Sequence, residues 1–485
     1  MNLIKRTLAM LLVLVFASSA CVSALAASYD AGTREEMQTA FADASGEDVS
    51  VNLTASIDLM GQTLTAQEGI TYTIGTENGS TLNQAAFNGA GMVHVQTDIT
   101  APKADALTAS ENVTVVVDGN VAGDQGVCAQ DNSTVTVNGD VSGSFAALRG
   151  FGTSEITVNG NIADSNWGGA SCEQSQLTVN GNVDGIWGGF YAEGDSKITL
   201  NGDITTQEGV GIVACDQSQT TVVGDVFAGY LGIDAGENSQ VTVIGSVYGL
   251  DYVDFGGEGK EGGGGIEAQI QSVVTVTGDV IAGDGCGEGV EGADAVTFVS
   301  TAVVSVGGNV IGGSVDGNED EGGNGVRVLF IRGNDPAGSL TIGGAVQGGG
   351  NASDLYLNGW STSYWENPDA VAIPSISVGS YETIDSKKIP PESLERIITQ
   401  IQVTGGEATW DDFWTNVLER IRIAQEGSQL TVDAGNYTRI PAYVLEAAAE
   451  HSVTLIIRWN GGDTITVDKA VELSGNSMLL SELLK

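Results

Sequence analysis

The 485-residue sequence predicts an all-β solenoid, a parallel β-helix of about 21 residues per coil. Three observations carry this expectation. A serine followed six residues later by a glycine recurs seven times, at Ser133/Gly139, Ser154/Gly160, Ser175/Gly181, Ser196/Gly202, Ser218/Gly224, Ser239/Gly245 and Ser272/Gly278. Two and four places after each serine stand residues that are aliphatic in all copies but Thr220, and they bracket a constant threonine, as in Leu177-Thr178-Val179. Each run then meets a corner such as Asn138-Gly139-Asp140 or Asn180-Gly181-Asn182 before an aliphatic residue resumes.

The elements follow in chain order. Lys5 and Arg6, the apolar run Leu8 to Ala20, and the small residues of Ala24-Leu25-Ala26 read as an export signal over residues 1–26, too short in its apolar part for a membrane span. A lipoprotein alternative through Cys21 is weakened by Ser18, where such a box prefers leucine. Removing the leader leaves 16 basic residues against 62 acidic, a formal charge of −46 where the whole chain carries −44. Nucleic acid and anionic membranes are therefore poor partners, and no membrane span is expected. Residues 27–112 form an N-terminal cap and the first coils. The cap begins with an amphipathic helix near Arg34 that carries Met37, Phe41 and Ala44 on one side, and looser coils lie in Val49 to Val95.

Residues 113–385 hold the clear repeat. Alternating β-branched residues give a strand with one buried face, aliphatic columns inward and threonines outward. Asparagine and glycine make a corner. Because the same phrase returns after a whole period, successive copies stack in parallel about 4.8 Å apart. A hydroxyl at every serine suits a corner where it bonds backbone. The four cysteines after the leader are Cys128, Cys172, Cys215 and Cys286; Cys172 and Cys215 share a slot two coils apart, too far for a disulfide, and all four are expected reduced. From Gly245 onward the coil lengthens to 33, 30 and 36 residues. The additions, Gly249 to Gly265, Gly283 to Asp294 and Gly313 to Gly325, enter after the same corner and so leave on one face, the kind of face that binds. Residues 386–485 form a separate α+β unit: helical patterns at Leu394, Ile397, Ile398, Ile401 and at Trp410, Phe413, Trp414, Val417, Leu418, Ile421, then strand, a helix begun at Pro441, strand, an Asn460-Gly461-Gly462 turn and strand.

The stretch Arg34 to Thr65 with the repeat behind it resembles pectate-lyase-like right-handed parallel β-helices, whose N-terminal helix covers the open end of the solenoid. The resemblance covers Arg34 to Gly359 and implies the fold, which hosts lyases, hydrolases and adhesins alike. The segment Gln429 to Val467 is similar to small α+β modules at the C-termini of exported proteins of anaerobic gut Firmicutes.

Catalytic residues are scarce. Val113 to Gly359 contains only Arg149, Lys197, Lys260, Arg327 and Arg332 as bases, and the two histidines, His94 and His451, lie in different units. No catalytic residue is assigned. Ligand contact is expected at Trp167, Trp187 and Tyr230, with Phe145, Phe190 and Tyr191 near them, and at Asp251 and Asp254 in the first insertion. Asp316, Asn318 and Asp320 repeat the start of a calcium loop, although Gly322 and Arg327 break the pattern; no cofactor is assigned, and calcium is the one candidate. The expectation is a secreted or cell-wall-associated, non-catalytic, adhesin-like protein that binds a glycan, a host surface or a cell-envelope protein. A polysaccharide lyase or glycoside hydrolase and a plain spacer are the alternatives.

Overall fold

The structure, a computed structural model, describes residues 26–404 apart from 252–261, 286–291, 316–321, 332–335 and 360–370, and beyond them residues 414, 417–418, 420–421, 427–434, 439–459, 463–467, 477–479 and 483. It is a parallel β-helix. A typical coil gives three short strands, as Lys197–Asn201, Ile204–Thr206 and Val210–Ala214 do, each paired in parallel with its counterpart one coil on, Gln219–Val223, Val226–Ala228 and Leu231–Ala235. The stack thus has a first, a second and a third face, separated by three corners.

The in-and-out reading holds. Leu177 and Val179 are buried while Thr178 between them is half-buried, and the pattern repeats through Val274 and Val276 around Thr275. The second and third faces lie so close that a glycine separates them: a Cβ on Gly211 would fall 2.5 Å from Val226 Cγ1, and one on Gly232 would fall 2.2 Å from Val247 Cγ1.

The corners hold the coils together. At the first corner, between first and second faces, one side chain in each coil accepts the backbone N–H of the next. The chain of bonds runs through Asp98, Asn120, Asp140, Asn161, Asn182, Asp203, Asp225, Ser246, Asp279 and Asn309 to the amide of Ala345, each at 2.6–3.1 Å. Beside it Asn138, Asn159, Asn180 and Asn201 form an amide ladder, each Nδ2 donating to the Oδ1 below, that ends on Asp118. This holds the Asp118 carboxyl below its usual range, aided by His94. At the third corner the serines are buried and most bond backbone as expected: Ser133 and Ser154 donate to the preceding coil, Ser154 to Ala129 O while accepting the Phe151 amide, whereas Ser175, Ser239 and Ser272 donate to the carbonyl three residues before them in their own coil.

Both ends of the stack extend beyond the legible repeat. Ala27–Ala31 pairs with Val49–Leu53, so a strand precedes the capping helix α1, Arg34–Ala42, and the first coil begins there. Thr33 and Glu36 close a capping box on α1, and Met37 and Phe41 are buried, with the Phe41 ring stacked 4.2 Å from that of Tyr72. At the other end Gln402–Val403 pairs with Ser377–Val378. The helix α2, Pro391–Ile398, buries Ile397 in the solenoid core, with Leu394 and Ile401 packed against it. Among the described residues sixteen strands stack on the first face, a length of roughly 70 Å. About ten coils were plain from the repeat; the looser end coils supply the rest.

A second core gathers Trp414, Val417, Ile421, Leu430, Val432, Val444, Leu455 and Ile457. Here Gln429–Asp433 pairs in parallel with Thr454–Trp459, which pairs antiparallel with Asp463–Val467, and α3, Ala442–Glu450, begins after Pro441 as its proline predicts. Arg420 links this unit to the solenoid. Its Nη1 lies 3.3 Å from Asp225 Oδ1, both side chains are 4% exposed, and its Nη2 donates to Thr431 O. Asp203, one coil before, has its carboxyl pushed up by burial and by Asp225.

Replacing Val179 with Asp should destabilise the protein by about 4 kcal/mol or more, because the charge enters a stacked core without a partner. Thr178→Ser should cost less than about 1 kcal/mol. Urea unfolding of the two variants measures both, and equal losses would overturn the assignment of faces.

Candidate functional site

The second corner, between second and third faces, is built differently from the other two. Ala146, Trp167, Gly188, Val210 and Leu231 are register partners on five successive coils. The residues just before them are Phe145, Asn166, Trp187, Gly209 and Tyr230. Phe145 is 51% exposed, Trp187 53% and Tyr230 65%. Large rings therefore stand in solvent on alternate coils, where burial would have been worth about 2 kcal/mol each or more. Asn166 and Gly209 occupy the coils between. Gly209 is required there: a Cβ would meet the backbone of Trp187 at 1.6 Å.

Of the aromatic residues singled out by sequence, Trp187 and Tyr230 come together with Phe145 in this row. Trp167 is half-buried beside it, and its ring fills the space a side chain on Gly188 would take, with Cζ3 2.3 Å from the position of a Cβ. Phe190 instead is fully buried in the core. Ile186, next to Trp187, adds an exposed apolar side chain.

The three insertions leave from this same corner. Leu250 O accepts the Gly263 amide at the base of the first, and Gly313 O accepts the Gly323 amide at the base of the third. Asp251, expected to meet ligand, accepts the Asp284 amide with its Oδ1, and Asp284 in turn accepts that of Ser314. The described role of Asp251 is thus to tie the loop bases of neighbouring coils. Asp254, the calcium candidates Asp316, Asn318 and Asp320, and Cys286 lie outside the described residues. Among the described residues no group of three or more His, Cys, Asp or Glu side chains is placed to hold a metal ion.

Four residues beyond the ring row runs an outward column on the third face that sequence reading missed: Cys128, Arg149, Ala170, Tyr191, Val213, Asp234, Glu267, Thr297 and Arg327 are register partners. Its signal was available, since the first seven members stand five places before the successive serines from Ser133 to Ser272, but unlike residues fill the slot. Arg149 donates to Gln125 Oε1 at 3.1 Å and lies over the Phe151 ring. Arg327 lies 2.7 Å from Asp294. Tyr191 donates to Glu193 Oε2 at 3.0 Å, and the Cys215 thiol lies 3.7 Å from its hydroxyl. Burial pushes the tyrosine upward, reinforced by Cys215 and Glu193. Cys128, Cys172 and Cys215 are unpaired, and burial raises each thiol, which makes them poor nucleophiles. Asp234 and Glu267 sit side by side on adjacent coils. Desolvation raises both carboxyls, Asp234 adds to the rise at Glu267, and Gln269 moderates it at Asp234.

An open groove of about 590 Å³ at the third corner, lined by Asp131, Asn132, Gly152, Thr153, Glu173, Gln174, Gly194 and Asp195, follows the left-handed turn residues of the stack, such as Asp131, Asn132 and Glu173. It carries no ring and no base. The fold and the second corner together define a parallel β-helix decorated along one edge. Set against protein-family models, curated proteins and solved structures, the chain matches none.

The raised carboxyls fix the sign of one pH effect. A carboxyl whose folded pKa lies above its unfolded value destabilises the fold above the folded pKa, and the penalty is relieved as pH falls through it. The melting temperature should therefore rise on acidification from pH 7 to pH 5. Glu267→Gln should raise it at pH 7 and shrink the rise on acidification. Parallel pH dependences in parent and variant would overturn the assignment.

Proposed function

We propose that the protein is an exported, non-catalytic solenoid that binds carbohydrate at a surface outside the cell, with the second corner as its binding edge. The observation that supports this reading most is the row of Phe145, Trp187 and Tyr230, exposed and in register on the corner from which the insertions leave. Rings presented in line stack on the C–H faces of sugars, and neighbouring hydrogen-bonding groups such as Asn166, Tyr191 and Asp234 orient hydroxyls. The leader of residues 1–26 supports export, and the strongly acidic chain suits an extracellular medium rich in cations. The reading is tested on a glycan array with parent protein and Trp187→Ala/Tyr230→Ala. Parent binding to at least one glycan, lost in the double variant while its melting curve is unchanged, is the expected result; absence of all binding would end it.

One observation favours a second reading, glycoside hydrolysis: the adjacent Asp234 and Glu267 carboxyls, both raised, resemble an acid and its partner at a scissile bond. Release of reducing sugar by the parent and not by Glu267→Gln would establish it in place of the first.

A further inference from the structure

We infer, resting on the carbohydrate reading of the second corner, that its ligand is a linear, uncharged β-(1→4)-linked polysaccharide lying along the solenoid axis, one disaccharide to every two coils. The solenoid repeats every coil, but this edge does not. Rings stand at Phe145, Trp187 and Tyr230 and are replaced by Asn166 and Gly209 between them. Over these five coils the polar column keeps the same beat, with Arg149, Tyr191 and Asp234 on the ring-bearing coils and Ala170 and Val213 on the others; the beat ends at Glu267, on the coil of the first insertion. The close backbone of Trp187 accounts for Gly209, but the pairing of the strands asks neither for Asn166 between two rings nor for a ring again at Tyr230. A ligand with a repeat of two coils, about 9.6 Å, accounts for it.

Flat β-(1→4) chains have that property. Each sugar is turned half a revolution from the one before, so every second ring offers the same C–H face to the same side, and the repeat is a disaccharide whose length is close to two coils. An α-(1→4) chain coils away from a straight row and would meet one ring, not three. Charge decides between neutral and acidic chains. Asp124, Glu193, Asp234 and Glu267 line the edge, and its arginines already have partners, Arg149 in Gln125 and Phe151, Arg327 in Asp294. On a chain of formal charge −44, a polyuronate would be repelled along its whole length.

Calorimetric titration of the full chain with cello-oligosaccharides and xylo-oligosaccharides of two to six units, maltohexaose and polygalacturonate tests this. Affinity for one β-(1→4) series should climb in steps at four and six units, by about tenfold each, with odd lengths adding little. Trp187→Ala should erase the steps while leaving the melting curve unchanged. Maltohexaose and polygalacturonate should bind at least about tenfold more weakly than the hexamer. Tightest binding to polygalacturonate or maltohexaose, or affinity independent of length, would overturn the inference and leave carbohydrate binding standing. Failure of every sugar here and on the array would remove both.

Discussion

In the solenoid most strand and corner residues have a like residue about 4.8 Å above and below them, and most of the structure follows from what tolerates that. Valine packs on valine and threonine on threonine. Asparagine is the best suited of the polar side chains, since its amide donates to the copy below and accepts from the copy above, as the run Asn138 to Asn201 shows. A carboxylate can only accept, so Asp118 terminates that ladder instead of extending it. At the first corner, where the task is to accept a backbone amide, aspartate serves as well as asparagine. There neutral rungs, Asn120, Asn161, Asn182 and Ser246, separate most of the acids and keep like charges apart.

Acids do adjoin at Asp203/Asp225, Asp234/Glu267 and Asp251/Asp284, and the first two pairs differ in what stands beside them. Asp203 and Asp225 adjoin in the first-corner ladder, and there Arg420 from the C-terminal unit closes over them, bonded also to Thr431 of its own sheet. The removal of either partner would strand a buried charge, so the tail is bound to the solenoid by an electrostatic need of the stack. Asp234 and Glu267 adjoin on the third face, where Gln269 bonds Asp234; burial raises both carboxyls and Asp234 adds to the rise at Glu267. Two acids held side by side on a half-buried face are costly to fold around.

The same constraint explains what could be read without coordinates. The strand columns, the serine staples and the Asn-Gly corners were legible because stacking forces like residues into like slots, as with Val179 and Thr178. The end coils were not. Ala27–Ala31 and Gln402–Val403 have a neighbour on one side only, so no repeat marks them, and Ile397 looks like any residue of an amphipathic helix until its core is seen. Trp187 and Phe190 could not be sorted into outside and inside by type. They stand three residues apart, which alternation sends to opposite faces, but the irregular pairing with the preceding coil hides which of the two points inward; Trp187 faces solvent and Phe190 the core. The column from Cys128 to Glu267 escaped because its members are unlike one another, the mark of a slot whose residues were not chosen for stacking.

Structural duty is shared unequally among the corners, and this decides where variation can accumulate. The first corner must supply an acceptor to the next coil's amide. The third supplies a small buried residue, a serine in seven coils, after a tight turn that is left-handed at Asp131 and Asn132 before Ser133. From Phe145 to Tyr230 the second corner shows neither a side-chain ladder nor a staple column, so its residues can change from coil to coil without loosening the stack. Rings occupy it first, then loops, and only where the loops begin does it acquire a ladder of its own, Asp251 to Asp284 to Ser314. A solenoid that concentrates its constraints on two edges leaves the third freer to vary, and exposed aromatics and three of the insertions meet on that edge.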